Sequence, residues 1–414
     1  LIDYCGVKLE GRLIFIKMPL NRIISIDVFR ALTMILMVWV NDFWTLNSIP
    51  KYLKHAANGE DYLGFSDVIF PWFLFAMGMS IPFAFEDRIK IGESLFTIWI
   101  HIALRSIALL VMGLFHMNME MYNHDTSFFT KPIYVIISTS AFFLIWNAYP
   151  KTDKKNQNLF NVLRVSGILI LMGMFLSFSG KSYEGQEIGF ETHWWGILGL
   201  IGWVYLIVGS TFLFMKNSIF GSSIALLICI GLNLIQSSGI SYNIFSWQSD
   251  HWIPGSGGLQ AMSFGGIIVS LFLIENRKKQ NVKRLYASLF IFGVISLFVG
   301  LYLRNFFVIN KILGTPSWVL VSLATGIFLY IFLHWVSDVN KTLNWYKYIE
   351  VAGTATLTCY IIPYFFYSFR TLSGIVLPEF FRTGFIGLIK SFIFSLIIVG
   401  ICWVLKKNRI QLKI

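Results

Sequence analysis

Twelve apolar runs, most of them near 20 residues long, recur along the whole chain and restrict its fold more than any other feature. At 1.5 Å per residue, about 20 helical residues cross a hydrocarbon layer about 30 Å thick. The runs lack the alternation of barrel strands, so they read as helices. They fall at roughly 23–44, 65–85, 97–117, 132–149, 160–178, 196–215, 218–237, 259–275, 285–303, 317–337, 349–369 and 383–405. The expected fold is all-α, a polytopic transmembrane helical bundle of about 12 spans. Ten is the alternative count, because 132–149 is short and 218–237 has two ways to pair with 259–275. Only 13% of residues are charged, against about 25% in soluble domains, so the lipid bilayer is the first partner to expect.

The placement of the charges gives an orientation. Of the 33 Lys and Arg residues, Lys51, Lys54, Lys131, Lys181, Arg304, Lys311, Arg370 and Arg382 fall on one side. Arg30, Arg105, Arg164 and Lys390 lie inside spans, and the remaining 21 fall on the side of Arg22. The positive-inside rule then makes that side, and both termini, cytoplasmic, and puts the loop at 45–64 outside. The net charge of +12 is explained by these loops, and without any nucleic-acid-binding motif it does not imply a nucleic-acid partner. Cys229, Cys359 and Cys402 sit in apolar runs and Cys5 in the N-terminal arm. No CxxC or Cys/His ligand spacing accompanies them, so neither a disulfide frame nor a metal is expected. Met18 opens a credible native start. Residues 1–17 are therefore expected to be a non-native or disordered arm, and 18–414 a single transmembrane domain.

Ionisable groups at membrane depth are costly and mark function. They concentrate between Arg22 and Pro82. Asp27, Arg30, Met34, Met37 and Asn41 recur on one face of the first span, forming a stripe about 21 Å long. Asp27 and Arg30 also suit a plain i,i+3 ion pair. The following loop holds one histidine, His55, with Asn41 and Asp42 before it and Asp67 after it. Imidazole can act as base or acyl carrier, and a carboxylate can fix its tautomer. Asp67 precedes Pro71 by four residues, so its carbonyl lacks a helical donor if the helix already runs there. Arg105, mid-span, needs either an acidic partner or a phosphate-bearing ligand.

Longer motifs tie these residues together. RxxSxDxFR (Arg22, Ser25, Asp27, Phe29, Arg30), Val40-Asn41, HxxNG (His55, Asn58, Gly59) and SDVIFPWFLFAMGMSIP (Ser66 to Pro82) resemble the heparan-α-glucosaminide N-acetyltransferase family. They are most similar to its bacterial DUF5009 and NagX-like relatives. The resemblance continues in WWGILGLIGWVYL (Trp194 to Leu206), NKILGTPSWVL (Asn310 to Leu320) and AGTATLTCYIIPYFF (Ala352 to Phe366).

This resemblance implies a membrane acetyltransferase, in a bacterial inner (plasma) membrane, with acetyl-CoA as co-substrate from the cytoplasm. The acceptor would be an extracytoplasmic amino sugar or glycan. By motif, His55, Asp67 and Asn41 are the candidate catalytic residues, with Asn41 as oxyanion donor. Arg105, Arg30 and Asp27 are the candidates on the acetyl-CoA side, and Asn58, Asp42 and Trp194 those for the acceptor. Residue 57 is Ala where the lysosomal member has Trp before Asn-Gly, a departure that bears on the acceptor. The alternative is a transporter of N-acetylglucosamine-type sugars. The oligomeric state, monomer or homodimer, is left open by the sequence.

Overall fold

The computed structural model describes residues 4–9, 12–17, 23–150, 154–215, 217–244, 256–279, 281–340 and 346–414. Met18, Arg22 and residues 245–255 lie outside the described residues. A hairpin of β1 (Tyr4–Leu9) and β2 (Arg12–Lys17) precedes the helices. The helices are α1 (Ile24–Asn41), α2 (Phe65–Lys90), α3 (Leu95–Asn118), α4 (Lys131–Trp146), α5 (Lys154–Leu176), α6 (Ile197–Met215) and α7 (Ile219–Ser237). After a one-turn helix at Ile240–Ile244 come α8 (Gly258–Lys279), α9 (Val282–Leu303), α10 (Pro316–His334), α11 (Tyr346–Thr354), α12 (Thr356–Ser373) and α13 (Gly384–Lys407).

Each of the twelve expected runs is helical. Among the described residues ten helices are long and apolar enough to cross a membrane, and α4 is a shorter apolar helix. The run expected at 349–369 is not one helix: α11 and α12 meet at 85°. Ala355 leaves the helical region there (φ −121°, ψ 39°). The flanking Gly-Thr-Ala-Thr sequence is poor in helix formers, so a break costs little. Irregular backbone at membrane depth persists where it lines a cavity, and this break does.

α2 is the hub. Of its most apolar window 72% is buried, against 17% for α5, so α2 is central and α5 faces lipid. It packs on α8 through small residues, as membrane helices do. Ser263 and Ser270 donate to the carbonyls of Leu74 and Met79 at 3.0 and 2.7 Å. A Cβ on Gly78 would come within 2.0 Å of the Ser263 carbonyl oxygen, so only glycine fits. At one end of the bundle the start of α1 packs on α11, where a Cβ on Gly353 would meet the Asp27 carbonyl oxygen at 2.8 Å. The segment after α13 folds back to that same end: Gln411 Nε2 donates to the Thr354 carbonyl and Leu412 N–H to Thr358 Oγ1, each at 3.0 Å. The α1–α2 connection lies at the opposite end.

Candidate active site

The connection from α1 to α2 is anchored before it reaches His55. Asp42 is buried and accepts from Tyr367 Oη at 2.7 Å, Lys390 Nζ at 2.7 Å and Ser391 Oγ at 2.5 Å. These bonds staple the end of α1 to α12 and α13. Further on, Ser66 Oγ donates to the Leu53 carbonyl. Residues Ala57–Glu60 form a turn closed by a 3.1 Å hydrogen bond, with Gly59 at φ +76°, a conformation that favours glycine. Asn310 Nδ2 donates to the carbonyls of Ala57 and Glu60 at 2.7 and 2.9 Å. Asp61 accepts from Arg304 Nε at 2.9 Å and from the Ile309 N–H at 2.8 Å. These two donors hold its carboxyl below the usual carboxylate range, the backbone N–H most strongly. The loop is therefore pinned to α2 and to the α9–α10 connection.

His55 and Asp67 meet inside this frame. Asp67 has no exposed surface and sits in the first turn of α2. Its carboxylate accepts from His55 Nδ1 at 2.7 Å and from the N–H groups of Ala56 and Gly64 at 3.0 Å each. Three donors therefore converge on one carboxylate. With Nδ1–H on Asp67, the imidazole keeps a lone pair on Nε2. The side chain at position 64 must be hydrogen, since a Cβ would lie 1.7 Å from the Lys54 carbonyl oxygen. The carbonyl that Pro71 orphans finds its donor elsewhere: Trp318 Nε1 of α10 reaches the Asp67 carbonyl at 3.1 Å.

His55 opens onto a cavity of about 410 Å³, lined also by Phe70, Trp195, Asn233, Lys311 and Trp318. Asn233 Nδ2 donates to the Gly314 carbonyl at 2.9 Å, which fixes the amide's orientation. Its Oδ1 is buried with no hydrogen-bond partner among the described residues. Lys311 Nζ lies 3.4 Å from His55 Nδ1.

A second cavity, of about 540 Å³, opens near the other end of the bundle. Its lining includes Arg30, Met34, Met37, Arg105, Tyr205 and Lys413, with Thr354, Ala355 and Thr356 from the break between α11 and α12. Arg105 lies over the Tyr205 ring at 4.8 Å, and its Nε is buried with no hydrogen-bond partner among the described residues. Arg30 Nη1 is 3.7 Å from Asp27 Oδ1, so the i,i+3 pair forms while Arg30 also faces the cavity. The linings of the two cavities come close in sequence along two helices. Phe70 lines one and Phe73 the other, less than a turn of α2 apart, and Leu200 and Ile201 of α6 divide in the same way.

The residues singled out in the sequence are thus distributed unequally. His55 and Asp67 are in contact, and Arg30 and Arg105 share the second cavity. Asn41 is exposed at the end of α1, and Asn58 is exposed in the Ala57–Glu60 turn. Asp42 is engaged with Tyr367, Lys390 and Ser391. Trp194 packs edge-on against Trp203, and its neighbour Trp195 lines the His55 cavity instead. Lys311, Asn233 and Trp318 are not among the site candidates that the sequence offers, although Lys311 and Trp318 fall inside the NKILGTPSWVL motif.

A sequence profile of DUF5009, a domain of unknown function, matches residues 22–254, more than half of the chain. The chain belongs to the DUF5009 family. The match includes His55, Asp67 and Arg105, whereas Lys311 and Trp318 lie beyond it. The chain is also similar to two curated proteins, both named heparan-alpha-glucosaminide N-acetyltransferase. The mouse protein is 24% identical over 359 residues, which are 77% of this chain and 50% of the mouse protein. The human protein is 38% identical over 102 residues, 23% of this chain and 14% of the human one. The DUF5009 chain therefore spans about half the length of the mouse relative it matches. Together with the apolar helices, these findings identify an integral membrane protein.

Proposed function

We propose that this protein is a transmembrane acetyltransferase, moving an acetyl group from acetyl-CoA to an amino sugar or glycan across the bilayer. The observation that carries the reading is the pair of cavities near opposite ends of one bundle, less than a helical turn apart along α2. One is lined by the histidine of the His55–Asp67 dyad and the other by arginines. In this reading Arg105 and Arg30 receive the phosphates of acetyl-CoA, since guanidinium groups suit bidentate phosphate recognition. The start of α12 lines the same cavity, and a helix N-terminus favours negative charge. The charge distribution of the loops makes this the cytoplasmic side.

On the other side, His55 Nε2 takes the proton of the attacking amine as its nitrogen bonds to the thioester carbon. The C–S bond then breaks, and the same proton passes to the departing CoA thiolate. Asp67 holds the imidazole in the required tautomer. Trp195, Gln236 and the unpartnered Asn233 Oδ1 suit a sugar, which offers an apolar face for stacking and hydroxyl donors. The names of the two relatives support a glucosaminide as the acceptor class.

Thermal unfolding of detergent-purified protein with and without acetyl-CoA tests the donor side. Acetyl-CoA should stabilise the wild type and not Arg105→Ala. Transfer to glucosamine should be lost in His55→Ala. No shift at saturating acetyl-CoA, together with stabilisation by free N-acetylglucosamine, would instead favour sugar transport.

A further inference from the structure

The proposed transfer lacks a donor for the oxyanion formed when the thioester carbonyl is attacked. Asn41, the candidate donor from the sequence, sits at the end of α1 and lines neither cavity. Lys311 is the cation at the dyad. It lines the His55 cavity, half-buried, on the α9–α10 connection. Asn310 ties that connection to the His55 loop. Lys311 Nζ is 3.4 Å from His55 Nδ1, at the outer limit of hydrogen bonding. Because Nδ1 gives its hydrogen to Asp67, it offers the ammonium no lone pair. The three N–H bonds of Lys311 therefore remain available to a group in the cavity.

We infer that Lys311 is a catalytic residue whose ammonium donates to the oxyanion of the tetrahedral intermediate, beside His55 as the base. The inference rests on the acetyltransferase reading above. A fixed cation beside the reacting carbonyl stabilises charge that exists only after attack, so it acts on kcat more than on KM. The covalent balance stays as already described: C–N forms, C–S breaks and the amine proton travels through His55 to the thiolate. Lys311 contributes hydrogen bonds and keeps its protons.

This role has a pH signature. Burial pushes the Lys311 ammonium down to about 8, partly opposed by Asp67. The titratable groups around it are His55 and Asp67, with the Lys51–Glu60 and Arg304–Asp61 pairs on the flanking loops. The ammonium is present below that value and lost above it, so catalysis should fall as pH rises through about 8. Arginine stays charged throughout this range.

The experiment measures acetyl-CoA-dependent acetylation of glucosamine by wild type, Lys311→Met, Lys311→Arg and His55→Ala between pH 6 and 10. Lys311→Met should lower kcat by about 10²–10³-fold with KM nearly unchanged. Lys311→Arg should recover most of that loss and should not fall above pH 8. A Lys311→Met enzyme within threefold of wild type would refute the assignment, as would an unchanged alkaline fall in Lys311→Arg. Equal loss in Met and Arg variants that keep the acetyl-CoA thermal shift would refute it too. An inactive wild type, or an active His55→Ala, would overturn the acetyltransferase reading, and the Lys311 role with it.

Discussion

Replacing Trp318 with Phe should expose how the dyad is held in place. Pro71 lacks an N–H and its ring crowds the carbonyl four residues back, which belongs to Asp67. Trp318 Nε1 supplies the missing donor at 3.1 Å from a side chain that is only 1% exposed. Phenylalanine keeps an aromatic ring in the slot and removes the donor. Leaving a buried carbonyl unpaired costs about 1–3 kcal/mol, and the smaller ring adds about 1 kcal/mol of lost packing. Restoring an N–H with Pro71→Ala should then reduce the cost of Trp318→Phe to the packing share alone. The double-mutant cycle should show a coupling of about 1–3 kcal/mol. Unfolding of the four proteins by SDS in mixed micelles gives the free energies. Additivity within about 0.5 kcal/mol would refute the account of this carbonyl. So would a Trp318→Phe protein as stable as wild type.

Three further outcomes follow from neighbouring contacts. Asp67→Asn should keep the acetyl-CoA thermal shift and lose about 10³–10⁴-fold in kcat, because the amide can no longer fix the His55 tautomer; steady-state kinetics check it. Lys390→Met should destabilise the protein by about 3–5 kcal/mol by leaving the buried Asp42 carboxylate without its cation, and adding Asp42→Asn should recover part of the loss in the same SDS titration. Asp61 has a depressed pKa, so its stabilising contribution is complete above the unfolded value of about 4 and is lost as pH falls through the folded one. Limited proteolysis within residues 51–64 should therefore stay slow at neutral pH and accelerate only below about pH 4.

What the sequence displayed was short-range. Helices with a period and a length are readable from apolar runs, and all twelve runs are helical, although 349–369 is broken in two. The break at Ala355 was not, because Ala352 to Phe366 keeps its apolar character while Ala355 alone leaves the helical region. The proximity of His55 and Asp67 was legible because 12 residues separate them, with Asp67 in the first turn of the next helix. Asp42 stands beside Asn41 in sequence, yet its partner Lys390 is 348 positions away, and nothing local announces that pairing. Trp194 and Trp195 precede α6 in irregular chain, where no period tells which ring faces inward. Lys311 lies 256 positions from His55; its charge places it with the outer-side cations and its sequence in the NKILGTPSWVL motif, but nothing local ties it to the histidine.

The positions of the rigid groups restrict how the proposed transfer can proceed. Asp67 and Phe70 are three residues apart on α2, so they lie on neighbouring faces of one helix. Asp67 orients the base, and Phe70 lines the His55 cavity where it approaches the second cavity. A shift of α2 that joined the cavities would also displace the Asp67 carboxylate, and with it three hydrogen bonds and the Trp318 contact. α2 is also locked to α8 by Ser263 and Ser270. Passage of an acetyl-bearing arm in the proposed reaction is therefore better served by rotation of Phe70 and Phe73, or by movement of α6 around Leu200 and Ile201. Either route leaves the dyad in register with the reacting carbon while the barrier opens. A base that must sit within hydrogen-bond reach of its proton requires that arrangement.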